Sequence, residues 1–122
     1  MQNAVDVYNK TSKVTQSPRQ LEASLLLKAA SKMQEVHDSW AEGTTDLESA
    51  LHYNRRLWTV FVSAVSEADS PLPLEIRNNV ASLGVFIFKH SLDVQLDPAP
   101  EKLLTLININ KEVAAGLNAA AA

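Results

Sequence analysis

The sequence predicts an all-α, single-domain helical bundle of four main helices plus a short N-terminal helix, and three observations carry that prediction. Apolar residues recur in steps of three and four along four long stretches, the spacing that lines side chains up on one helix face. Proline or glycine marks separate those stretches at Ser17-Pro18, Gly43, Ser70-Pro71-Leu72-Pro73 and Asp97-Pro98-Ala99-Pro100. No run alternates apolar and polar residues at the period of a strand, and no segment repeats.

Ala4, Val5, Val7 and Tyr8 predict the short N-terminal helix, or a docked arm, ending near Lys13. Ser17-Pro18-Arg19-Gln20 reads as a helix start, with Ser at the N-cap, Pro at the first helical position and Gln placed to complete a capping box. That helix is expected to reach Glu42 and stop at Gly43; its stripe is Leu26, Ala29, Met33, Val36 and Trp40, and one turn earlier lies Glu22. Thr45-Asp46-Leu47-Glu48 repeats the capping pattern and opens a second helix, expected to end near Ala68. Its stripe is Leu47, Leu51, Trp58, Phe61 and Val65, with Asn54 in register on the same face. The third helix starts at Pro73 and carries Ile76, Val80, Leu83, Ile87, His90 and Val94. Because Val85, Phe86 and Phe88 are apolar as well, it is expected to be the central, most buried element. Leu103, Ile107, Asn110, Ala114 and Leu117 form the stripe of the last helix, expected to stop near Gly116. The domain then spans 1–118, and 119–122 form a disordered alanine tail.

A chain of 122 residues with 46% hydrophobic and 20% charged residues is long enough to bury a core and too apolar to be disordered throughout. The net charge of −3 provides no basic field for a polyanion, and only Arg55-Arg56 pairs two cations in sequence, which argues against direct nucleic-acid binding. The absence of cysteine excludes disulfides, thiolate metal sites and a cysteine nucleophile. The first twenty residues contain no apolar signal core, and the greasiest run, Val80 to Phe88, is too short to span a bilayer. A cytoplasmic protein without a membrane partner is the simplest expectation.

No catalytic residue, metal site or cofactor is expected. His37, His52 and His90 are too far apart to act as joint ligands along one helix, and Glu48 with His52 reads as a solvated pair. His90, on an apolar stripe, reads as a satisfied core histidine. Gly43, Gly84 and Gly116 are isolated, so no glycine-rich loop cradles a phosphate. The informative stretch is Asn54-Arg55-Arg56-Leu57-Trp58. Asn54, Asn110 and Glu22 fall on or beside packing stripes and are read as a structural polar lock, of the kind that sets register. Tyr53, Arg55, Arg56, Trp58 and Lys111 are the candidate partner-binding residues, since arginine and aromatics are enriched at binding hot spots. The competing structural reading pairs an arginine with Glu22 or Glu48 and leaves the motif as internal scaffold.

Several pieces in this order resemble the FlaF family, flagellar biosynthesis regulatory proteins of alphaproteobacteria. They are Ser17-Pro18-Arg19 with Glu22, Asn54-Arg55-Arg56-Leu57-Trp58, Leu72-Pro73 with Ile76-Arg77 and Ser82-Leu83, and Ile107-Asn108-Ile109-Asn110-Lys111 with Gly116-Leu117. Lys111 stands where an arginine is common, and Phe86 or Phe88 where a tryptophan is usual. The resemblance implies a non-enzymatic flagellar assembly protein that binds flagellin as a cytosolic secretion chaperone. It also implies promotion of flagellin synthesis in opposition to FlbT, itself a possible direct partner. The alternative is a post-transcriptional regulator acting on flagellin mRNA, or through FlbT, without a stable flagellin complex.

Overall fold

The computed structural model describes residues 17–43 and 46–121. The expected helix between Ala4 and Lys13 lies outside them. The four main helices are α1 (Pro18–Asp38), α2 (Leu47–Val65), α3 (Leu74–Leu96) and α4 (Pro100–Ala121), with a single 3₁₀ turn, Trp40–Glu42, after α1. No strand occurs among the described residues.

Helix boundaries follow local chemistry. Ser17 forms the expected capping box: its hydroxyl accepts from the Gln20 backbone N–H at 3.1 Å, and its own N–H donates to the Gln20 side chain at 2.9 Å. The regular part of α1 ends at Asp38 rather than at Glu42. The 3₁₀ turn tightens the exit, and Gly43 at φ 130° takes a backbone conformation that a side chain would strain. α2 ends at Val65, short of Ala68, because Arg77 from α3 donates to the Val65 and Glu67 carbonyls at 2.9 and 2.8 Å and satisfies that terminus. α4 runs through Gly116 to Ala121 instead of stopping there. The alanines favour helix, and Arg19 donates to the Ala120 carbonyl at 2.8 Å.

The helices run alternately up and down. Arg19 beside Ala120, and Leu26 beside Asn110, make α1 and α4 antiparallel. Arg77 at the α2 terminus and Arg55 bonded to Gln95 at 2.6 Å do the same for α2 and α3. The α1–α4 seam is the most extensive, α2 packs on both α1 and α3, and the α3–α4 seam is the loosest. The core contains Leu26, Met33, Leu51, Trp58, Ile87, Val94, Leu103, Leu106 and Ile107, all essentially inaccessible to solvent. Trp58 and Phe61 meet edge to face, with ring centroids 6.1 Å apart.

α3 is an edge helix, not the central one. Leu74, Val85, Phe86, Leu92 and Leu96 are exposed, Leu96 at 77%. A helix with only α2 and a loosely held α4 as neighbours cannot bury its whole circumference. Its buried stripe is Val80, Gly84, Ile87, Ser91 and Val94; Leu83 and His90 stand at the margin as half-buried walls. Gly84 brings α3 close to α2: a Cβ built there overlaps the Val62 side chain and sits 3.9 Å from the Trp58 ring.

Candidate functional site

The stripe positions that sequence periodicity gave to amides converge at the centre of the bundle. Asn54 on α2 and Asn110 on α4 are both fully buried, as is Trp58 one turn beyond Asn54. The Trp58 indole N–H donates to Asn110 Oδ1 at 2.9 Å, and Asn110 Nδ2 donates to Asn54 Oδ1 at 2.8 Å and to the Leu26 carbonyl at 3.2 Å. An indole only donates, so it fixes which way the Asn110 amide faces; Asn110 in turn fixes Asn54. The chain of bonds ties α2, α4 and α1 together in one register. Among the described residues, Asn54 Nδ2 and the Ser91 hydroxyl are left buried with no partner.

Trp58 therefore belongs to the lock, and in this fold it presents nothing to a partner. Glu22 does not join the lock. It is half-buried beside a mixed cleft that holds Glu67, Asp69 and Ser70 with Ala64, Val65 and Leu72, where burial raises its pKa and the Arg19 charge partly offsets the rise. Arg55 pairs with neither Glu22 nor Glu48; it is held by Gln95. The indole at Trp58 closes the network that Glu22 was expected to close, a role its donor-only nitrogen makes legible only once the helices are paired.

Tyr53 and Arg56 do come together on the outer face of α2, beside α1. With Ser49, His52, Leu57 and Val60 they line a shallow concavity of about 370 Å³. Lys32 and Lys28 reach over the Tyr53 ring from α1, with their ammonium groups 5.1 and 5.9 Å from its centroid. The two lysines, one turn apart, were missed in the sequence because nothing marks them until α1 lies against α2. Lys111 is exposed on α4, without a hydrogen bond or ion pair among the described residues.

The opposite side of the bundle carries an apolar groove. α3 and α4 are clamped at their hairpin end: Lys102 bridges Asp93 and Asp97 at 3.0 and 3.1 Å, and His90 Nε2 lies 2.9 Å from the Lys102 carbonyl while stacking on Phe86. Hydrogen bonding to Asp93, assisted by Asp97, holds the Lys102 pKa above its usual value. Away from the clamp the seam opens into a cleft of about 230 Å³, lined by Ile76, Val80, Leu83, Ile109, Val113 and Leu117, with Asn79, Glu112 and Gly116 alongside. From Ile76 to Leu83 on one wall and from Ile109 to Leu117 on the other, the groove spans about two turns, or roughly 10 Å of helix.

Among the described residues no group of histidines and acidic residues is placed to hold a metal ion, and no helix is long and apolar enough to cross a membrane. Fold and surfaces together define a small helical bundle with an apolar groove on one side and a shallow concavity on the other. Residues 4–117 match the family described as flagellar protein FlaF, and this chain belongs to that family. The family is a flagellar one and is not known as an enzyme family. Comparison with curated proteins and with solved structures returned no match.

Proposed function

We propose that this chain binds flagellin in the cytosol as a secretion chaperone and promotes flagellin synthesis in opposition to FlbT. The observation that carries the reading is the open α3–α4 groove in a bundle of the FlaF family. An amphipathic helix lays its apolar face into such a groove, placing anchors at helical spacing against walls such as Ile76, Leu83, Ile109 and Val113. A flagellin terminal helix is amphipathic, and covering it before export withholds a surface that would otherwise polymerise. The lock supports this role by fixing α4, which carries one wall of the groove, in register against α1 and α2.

In this reading exposed Arg56 and Lys111 and half-buried Tyr53 remain available to partners, whereas Trp58 acts through the scaffold. Titration calorimetry of the purified chain against flagellin, full-length and with either terminal helix deleted, tests the proposal. Binding that disappears with one deletion is the expected result. Absence of binding to every form of flagellin overturns the chaperone role and leaves a regulator acting through FlbT or mRNA.

A further inference from the structure

We propose that the α1–α2 face around Tyr53 receives an acidic, amphipathic segment of a partner protein, through its carboxylates and one apolar anchor. The inference is independent of the α3–α4 groove, which lies on the other side of the bundle.

The charges on this face are uncompensated. Arg19, Arg55 and Arg77 spend their guanidinium groups on carbonyl or amide oxygens of the fold, and Lys102 is bridged by Asp93 and Asp97. Lys28, Lys32 and Arg56 have no ion pair among the described residues; the two lysines reach over the Tyr53 ring and Arg56 lines the concavity beside it. Lys32 also borders a polar cleft with Glu35 and Asp46, but neither carboxylate is within ion-pairing distance of it. Gathering cations on a chain of net charge −3 leaves a local field that an incoming carboxylate relieves. Val60, 66% exposed at the edge of the same concavity, and half-buried Leu57 supply the apolar surface for the anchor.

A nucleic acid fits the face less well. Aromatic rings that bind single strands do so by offering a free face to a base, and the Tyr53 ring is already covered by ammonium groups. A long polyanion also meets the overall negative charge of the chain, which a segment with a few carboxylates largely avoids.

The test is a titration of the isotope-labelled protein with a short amidated helical peptide carrying glutamates one turn apart beside a leucine. A peptide with glutamine for glutamate and a single-stranded RNA oligonucleotide serve as comparison probes. Expected are amide shifts at Ser49, Tyr53, Leu57 and Val60 with the acidic peptide, weakened by salt. Affinity should drop by about tenfold or more in the Lys28→Glu/Lys32→Glu double variant and in Arg56→Glu, and hold in Lys89→Glu. These are exposed positions, so an unchanged circular-dichroism melt confirms that folding is not the cause. Equal binding of the glutamine peptide, stronger binding of the RNA at the same residues, or no binding of the acidic peptide overturns the proposal.

Discussion

Replacing Asn110 with leucine removes the side chain that accepts from the Trp58 indole and donates to both Asn54 and the Leu26 carbonyl. The Leu26 carbonyl keeps its partner within α1, but the indole N–H and the Asn54 amide are left fully buried without one. Each such group costs about 1–3 kcal/mol, and the apolar gain from leucine returns only part of it, so the loss is expected to be about 3 kcal/mol. That is a large share of the roughly 5–15 kcal/mol that holds a domain together. Asn54→Leu is the informative comparison. Asn54 contributes one bond and carries an amide nitrogen with no partner, so removing it leaves Asn110 held by Trp58 and Leu26. Its expected cost is about 1 kcal/mol or less. Urea unfolding followed by far-UV circular dichroism, with unchanged slope, measures both. Equal costs for the two variants, or a cost for Asn110→Leu below about 0.5 kcal/mol, would refute the hierarchy in which Trp58 orients Asn110 and Asn110 orients Asn54.

Other consequences follow from close packing and from burial of charge. Gly84→Ala gains about 1 kcal/mol of helix propensity, but the new methyl overlaps Val62, whose branched side chain has little freedom to move. A net destabilisation of about 1 kcal/mol is expected, seen as a lower melting temperature; a rise would contradict the close α2–α3 contact. Glu22 has a raised pKa in the fold because burial disfavours its charge. Its folded state therefore holds a proton more tightly than its unfolded state, and the cost of the carboxylate is fully felt above the folded pKa. It fades as pH falls toward the model-compound value of 4.5. Glu22→Gln should melt higher than wild type at neutral pH, with the difference shrinking on acidification; a gap that widens on acidification would reverse the assignment.

Much of the bundle is legible in the sequence because its signals are local. The stripe Leu47, Leu51, Asn54, Trp58, Phe61 and Val65 is buried as periodicity requires, and so is Leu103, Ile107, Asn110, Ala114 and Leu117. The two asparagines were recognisable as a buried contact because amides interrupt apolar stripes only where something satisfies them. Pairwise geometry was less legible. Gly84 and Ser91 take the α3 core face in place of Leu83 and His90, and at Gly84 the absence of a side chain admits α2, a fact about the neighbour rather than about α3. The same uncertainty hid the loose α3–α4 seam: apolar residues around α3 look identical whether they fill a core or line a groove. Glu22 was misplaced because its position on the stripe does not reveal that α1 enters the bundle beside the acidic loop at Glu67 and Asp69.

The most direct measurement of the central claim uses Gly116, which borders the groove and whose added Cβ would meet nothing within 4 Å. Calorimetry of Gly116→Leu and wild type against full-length flagellin, beside thermal melts of both, separates occupancy of the groove from damage to the fold. An intact melt and flagellin affinity lowered by about tenfold or more are expected, because the leucine fills space a helix docked in the groove would need. Undiminished affinity in Gly116→Leu would place flagellin elsewhere on the bundle and contradict the claim.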